Sequence, residues 1–142
     1  NDWNTMAYNY YTNDIKLKPG ALQYLLKLKE LGIKIGLATS NSMHLLTTTL
    51  KSNNAFELFD AITVTDEVEK SKSNPDIYLL AAKKLGVNPS ECMVFEDIIA
   101  AVYGAKLAGM KVTGVYDKHS EHQIDILKKE CDNYIYNYED LI

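Results

Sequence analysis

The stretch PGALQYLLKLKELGIKIGLATSN, residues 19–41, decides the fold. Leucines recur at near-helical spacing from Leu22 to Leu31, and Gly32 is a helix stop, so a helix should be followed at once by a strand over residues 33–38. Alternation of helical stretches and short apolar runs continues along the rest of the chain. This alternation predicts an α/β protein with a parallel sheet.

The remaining elements repeat this pattern. The predicted strands are residues 61–65, 92–95 and 111–115, with a short last strand near Tyr134-Ile135, and the predicted helices are about residues 42–52, 74–85, 98–108 and 121–129. Residues 1–18 are rich in Asn and Tyr. We interpret them as the end of a helix and a hinge, or as a helix that packs its aromatic residues on the domain, and residues 19–142 as the α/β domain.

Length and composition restrict the class of protein. With 142 residues and 46% hydrophobic residues, the chain is sufficient for one domain. All 15 basic residues are lysines and the net charge is -4, which argues against nucleic acid as a partner. The sequence shows neither an apolar run of membrane-spanning length nor an export signal, and Cys92 and Cys131 are too few for a disulfide scaffold. We therefore expect a cytoplasmic protein without a membrane partner.

In open parallel sheets, functional groups gather at the carboxyl ends of the strands. The sequence places polar residues at three such positions. Thr39-Ser40-Asn41 ends the first strand of the chain's α/β pattern, where hydroxyls and backbone N–H groups either bind an anion or cap a helix. Glu96-Asp97 ends a buried strand, where carboxylates are costly unless they bind a cation or pair with lysine. Lys72 precedes a helix start and is a phosphate ligand or a surface lysine.

Together these residues describe a phosphate site with Mg²⁺. Hydroxyl and amide donors, an ammonium group and a carboxylate pair would meet at one edge of the sheet, and oxygen ligands are those that Mg²⁺ prefers. Such sites carry out phosphoryl transfer, in which positioning and charge neutralisation do most of the catalysis.

The residues at these positions also resemble the motifs of the haloacid dehalogenase superfamily, within it those of β-phosphoglucomutase-like phosphatases and phosphomutases. Residues 35–41 are similar to the second motif, which implies that Thr39, with Ser40 and Asn41 beside it, binds the phosphoryl group. Residues 71–78 are similar to the lysine motif, in which Lys72 steadies the phosphate and the nucleophile. Residues 94–97 are similar to the fourth motif, whose acids hold Mg²⁺ directly or through water.

The resemblance implies a Rossmann-like three-layer sheet and a specific chemistry. Glu96 and Asp97 would bind Mg²⁺, and Thr39 and Lys72 would be catalytic in a phosphohydrolase that acts on a small phosphorylated metabolite through an aspartyl-phosphate intermediate. A phosphomutase of the β-phosphoglucomutase type is the close alternative. A non-catalytic phosphate-binding or regulatory module is the alternative from another class.

The sequence departs from the family pattern at several positions. Ser73 replaces a proline, and Ile98 and Ala101 replace a serine and a glycine. The first motif, DxDx[TV], which carries the aspartate nucleophile, is absent from residues 1–142, and so is most of the substrate-selecting cap.

The absent motif belongs to the central strand, between the strands that end at Thr39 and Glu96. A gap there would leave backbone groups unpaired at about 1–3 kcal/mol each. Because the chain also begins at Asn1, we expect it to be the carboxyl-terminal part of a longer phosphatase. A segment outside this sequence, or another chain, would then supply the missing strand.

Overall fold

A computed structural model describes residues 5–8, 20–39, 56–68 and 71–141 of the chain. The described strands are β1 (Thr5–Tyr8), β2 (Lys34–Thr39), β3 (Ala61–Val64), β4 (Cys92–Glu96), β5 (Lys111–Val115) and β6 (Asn133–Ile135). They form one parallel sheet in the order β3-β2-β1-β4-β5-β6. The described α-helices are α1 (Ala21–Glu30), α2 (Asp76–Leu85), α3 (Ile99–Leu107) and α4 (Ile124–Glu130). The predicted parallel α/β fold is therefore confirmed.

The sheet has a separate apolar core on each of its two faces. On one face α1 packs with Ile35 and Leu37 of β2, and with Phe95 of β4. On the other face α2, α3 and α4 pack on residues that include Ala38 and Val94. Because successive side chains of a strand point to opposite faces, β2 and β4 each contribute to both cores, and the molecule has the three layers expected.

Local sequence signals account for most of the element boundaries. The first helix ends before Gly32, which has a φ of 76°. Helix α2 ends at Gly86, whose left-handed conformation (φ 72°, ψ 32°) lets its N–H reach back to the last turn. Strands β2, β3, β4, β5 and β6 lie within one or two residues of the predicted ranges. These boundaries were predictable because each depends on residues adjacent in sequence.

The central strand of the sheet is formed by residues for which we expected a helix end or a hinge. Thr5–Tyr8 lies between β2 and β4 and is in register with Lys34–Leu37 on one side and Cys92–Phe95 on the other. These residues form a strand where we expected the end of a helix or a hinge. The position is therefore occupied by this chain, although by a strand without aspartate. The physical reason is that ladder hydrogen bonds use backbone groups, so a segment of different sequence can pair at this position.

Two of the predicted helices are not confirmed over their full length. The helix predicted over about residues 42–52 lies outside the described residues. The helix predicted over residues 121–129 is wrong in its first part, where a 3-10 helix at Lys118–Gln123 precedes α4. The Asp117 carboxylate accepts a hydrogen bond from the His119 N–H at 2.8 Å, and this side-chain cap begins the 3-10 turn. Across the described ranges, no helix combines the length and apolar character needed to cross a membrane.

Candidate functional site

A buried ion pair lies where β4 ends. Glu96 is the last residue of β4 and is 1% exposed, and Lys72, in the turn before α2, is 7% exposed. The Lys72 Nζ lies 3.0 Å from the Glu96 Oε2. Two residues that are distant in sequence and that were both predicted to belong to the site are thus in direct contact. The sequence left open whether Glu96 binds a cation or pairs with a lysine, and the structure shows the pairing.

Backbone amides hold the other oxygen of the Glu96 carboxylate. The Asp97 N–H donates to Glu96 Oε1 at 2.9 Å, and the Ile98 N–H donates to the same oxygen at 3.3 Å. Hydrogen bonds from amides and an ion pair with a lysine compensate a buried carboxylate for the loss of water. The carboxylate is held in one orientation by groups on both of its oxygens.

Asp97 is the second acidic residue of the predicted metal site. It follows Glu96 directly and is 6% exposed. Two adjacent buried carboxylates supply hard oxygen donors, which fits Mg²⁺, an ion that commonly takes one or two carboxylates and keeps several waters. No cluster of three or more His, Cys, Asp or Glu side chains suited to a metal occurs within the described ranges. These residues therefore fit a Mg²⁺ site that takes its other ligands from water, phosphate or residues outside those ranges.

Thr39 ends β2 at the same edge of the sheet as Glu96. Leu37 and Phe95 both lie opposite Tyr8, so β2 and β4 end at similar heights on either side of β1. Neighbouring strands are about 5 Å apart, which puts the backbones of Thr39 and Glu96 about 10 Å apart across β1. The Thr39 side chain, and Ser40 and Asn41 entirely, lie outside the described residues. Their phosphate-binding roles stay predictions.

The three substituted positions leave the ion pair in place. The Ser73 hydroxyl lies 2.8 Å from the Ser71 hydroxyl, in the turn that carries Lys72. Ile98 is extended (φ −121°, ψ 127°) just before α3 and donates its N–H to Glu96. Ala101 is 4% exposed and packs inside α3. None of these substitutions removes a contact between Lys72 and Glu96.

Two side chains towards the edge of the sheet from Glu96 have raised pKa values. Glu96 lies opposite Gly114 on β5, and Gly114 lies opposite Tyr134 on β6. Burial is the main reason that the pKa of Tyr134 is raised to about 12, and also the main reason that the pKa of Cys131 is raised to about 12. Both side chains are therefore uncharged at neutral pH.

Sequence reasoning missed Gly104 of α3, which packs on the turn that carries Lys72. A Cβ atom at Gly104 would lie 2.0 Å from the Lys72 carbonyl oxygen. No sequence motif pointed to this contact, since the two residues are far apart along the chain. A glycine inside a predicted helix was the one available signal, because glycine is unfavourable there.

The fold and the site define a class of protein: a parallel three-layer α/β domain with a lysine and paired carboxylates at the carboxyl ends of its strands. The model of the haloacid dehalogenase-like hydrolase family matches residues 3–109. The chain belongs to this family of hydrolases, as its motifs implied.

Individual relatives agree with this assignment. A Bacillus subtilis protein named "Putative phosphatase YhcW" is 47% identical over 103 residues, which cover 72% of this chain and 47% of that protein. A mutant of CbbY from Rhodobacter sphaeroides, solved with Xylulose-(1,5)bisphosphate, is similar at a TM-score of 0.80 and 26% identity, covering 88% of this chain and 56% of that one. The β-phosphoglucomutase of Clostridium difficile has a TM-score of 0.74 at 27% identity, covering 89% and 52%. The chain spans about half the length of the curated relatives it matches.

Proposed function

We propose that the protein is a Mg²⁺-dependent phosphatase that acts on a small phosphorylated metabolite through an aspartyl-phosphate intermediate. The observation that carries this proposal is the buried contact of Lys72 with Glu96 at the strand ends of a haloacid dehalogenase-like fold. Named relatives support it, since one is called a phosphatase and another was solved with a sugar bisphosphate.

Lys72 has the central role in the proposed chemistry. Its ammonium group, oriented by Glu96, would neutralise charge on the phosphoryl group as negative charge moves towards the leaving oxygen. Thr39, with Ser40 and Asn41, would donate hydrogen bonds to the same phosphoryl group. These groups position and neutralise the phosphate, and the aspartate nucleophile would form and release the covalent intermediate.

Glu96 and Asp97 would together form the Mg²⁺ site, in different roles. When bound, Mg²⁺ supplies Lewis acidity and screens the charge between phosphate and carboxylates. Because Glu96 already has Lys72 and two amides on its oxygens, Asp97 is the residue better placed to offer the metal an oxygen of its own. Glu96 would then orient the lysine and contribute its charge to the metal site.

The nucleophile would come from a segment outside this sequence or from another chain, because Thr5–Tyr8 contains no aspartate. Such a segment would have to replace β1 between β2 and β4. Because Thr5–Tyr8 is the central strand of the sheet, the α/β domain that we propose for residues 19–142 also includes these residues. A cytoplasmic location agrees with Cys92 and Cys131, which are both free thiols.

A phosphomutase is the second candidate, favoured by the structural similarity to β-phosphoglucomutase. The two activities use the same residues of this domain. Turnover assays on the protein with its nucleophile segment would distinguish them: a phosphatase releases inorganic phosphate from a sugar phosphate, whereas a mutase yields the isomeric sugar phosphate. A regulatory module would bind phosphate and give neither product.

The site itself is tested by binding of inorganic phosphate to the full chain, measured by titration calorimetry with and without Mg²⁺. We expect Mg²⁺-dependent binding, and we expect Lys72→Met to weaken it about 10- to 100-fold, since a hydrogen bond to a charged group contributes about 1.5–3 kcal/mol. Lys106→Met is the matched control, because Lys106 forms an exposed ion pair with Glu130 away from the strand ends. Equal losses in the two variants would contradict the proposed site.

A further inference from the structure

Helix α3 approaches the turn that carries Lys72 (residues 71–75) unusually closely at Gly104. A Cβ atom on Gly104 would lie 2.0 Å from the Lys72 carbonyl oxygen, 3.0 Å from the Lys72 carbonyl carbon and 2.8 Å from the Asn74 carbonyl oxygen. All three atoms belong to the backbone, so no rotation of a flexible side chain could relieve the overlap. Helix and turn would have to move apart by about 1 Å or more before a methyl group fits.

Helical geometry does not explain why residue 104 is a glycine. Gly104 lies inside α3 and is not among the glycines with positive φ. In the middle of a helix glycine is less favourable than alanine, because it loses more conformational freedom on folding. The close approach of the Lys72 backbone is therefore the physical reason for glycine at this position.

The same contact controls where the lysine side chain begins. Within the turn, the Asn74 N–H donates to the Ser71 carbonyl oxygen at 3.0 Å. Helix α3 begins at Ile99, two residues after Asp97, so the helix that contacts the Lys72 backbone is also joined to the carboxylates by a short link. One rigid element thus relates the start of the lysine side chain to its partner.

We propose that Gly104 is a positioning residue, which sets the Lys72 ammonium group against Glu96 by allowing α3 to contact the Lys72 backbone. A shift of the turn by the amount that a methyl group requires would break the 3.0 Å contact between Lys72 Nζ and Glu96 Oε2. The consequence for phosphate binding rests on the proposed function. The effect on the ion pair does not depend on it.

The test compares Gly104→Ala with Gly32→Ala in the full chain. Gly32 has positive φ, and no atom of the described residues lies within 4 Å of the place that a methyl group would take there, so its substitution strains the backbone without touching the site. Native-state acetylation by acetic anhydride, read by peptide mass spectrometry, gives the labelling rate of buried Lys72 relative to that of exposed Lys111. Phosphate binding in the presence of Mg²⁺ is measured on the same samples.

We expect Gly104→Ala to raise the Lys72-to-Lys111 labelling ratio several-fold and to weaken phosphate binding, whereas Gly32→Ala changes neither. An unchanged ratio in Gly104→Ala, or an equal rise in both variants, would overturn the inference. A Gly104→Ala chain that stays unfolded even in trimethylamine N-oxide would also overturn it, because the proposed movement is local. If the wild-type chain bound no phosphate while the ratio still rose in Gly104→Ala alone, the positioning role would stand and the proposed function would fail.

Discussion

Replacing Glu96 by glutamine tests the electrostatics of the buried pair. The substitution keeps the size and shape of the side chain but removes its charge, so it leaves the Lys72 ammonium group facing an amide at a position that is 7% exposed. Glu130→Gln is the matched control. Its partner Lys106 lies 3.2 Å away, a distance similar to the 3.0 Å of the buried pair, but the side chains of Lys106 and Glu130 are 41% and 28% exposed.

The two variants should differ because burial decides how strongly charges interact. At 3.0 Å and an effective dielectric constant of about 20, the attraction between Lys72 and Glu96 is about 5 kcal/mol. Removing one partner of a buried pair costs about 3–5 kcal/mol, because the remaining charge has lost its compensation. An exposed pair such as Lys106 with Glu130 is screened by water and contributes less than about 1 kcal/mol.

Urea unfolding at neutral pH, followed by circular dichroism, measures both free energies of unfolding. We expect Glu96→Gln to lower the stability by about 3 kcal/mol and Glu130→Gln by less than about 1 kcal/mol. Lys72→Met added to Glu96→Gln should restore part of the loss, since it removes the buried positive charge that Glu96 no longer balances. Equal losses in the two glutamine variants, or a double variant with the summed loss of its two single substitutions, would refute this reasoning.

Three further measurements follow from the structure. Burial is the main reason that the pKa of Cys92 is raised to about 11 and the pKa of Cys131 to about 12. Both protonated thiols therefore contribute to the stability of the folded state. This contribution is fully present below the ordinary thiol pKa of about 9 and is lost as the pH rises towards 11 to 12. The midpoint of urea unfolding should therefore fall over that pH range, and it should fall less in Cys131→Ser. The hydrogen bond from Lys84 is the main reason that the pKa of Glu67 is lowered, so its contribution is present above the ordinary carboxyl range and is lost on acidification. Thermal unfolding of Lys84→Met should therefore depend less on pH in the acid range than unfolding of the parent chain does, and an unchanged acid profile would contradict the pairing. Gly86→Ala should lower stability by about 1–2 kcal/mol in urea unfolding, because alanine is strained in the left-handed conformation of this helix end, and a neutral result would show that the helix ends differently.

The candidate site was predictable in its members but not in its contacts. Lys72, Glu96 and Asp97 could be named because each stands beside a recognisable helix start or strand end, and parallel strands bring such positions to one edge. The sequence could not decide between a cation and a lysine as the partner of Glu96. The contact with Lys72 depends on the distance between the end of β4 and the turn before α2, which no local pattern encodes.

The errors in the predicted fold have a similar origin. Thr5–Tyr8 carries no strong strand signal, and its place between β2 and β4 follows from the unpaired backbone groups of those strands. The 3-10 helix at Lys118–Gln123 depends on a side-chain cap from Asp117, which a helical pattern alone does not reveal. Local periodicity predicts elements well where they stop at glycine, as at Gly32 and Gly86.

By itself, the sequence determined the class of fold, the order of most strands and helices, and the family to which the chain belongs, because these depend on periodicity and short motifs. Only the tertiary structure decided that Lys72 pairs with Glu96, that Thr5–Tyr8 occupies the central strand position, and that α3 contacts the Lys72 turn at Gly104. The physical reason is that charge pairing, strand pairing and steric fit act between residues that are distant in sequence and meet only when the chain is folded.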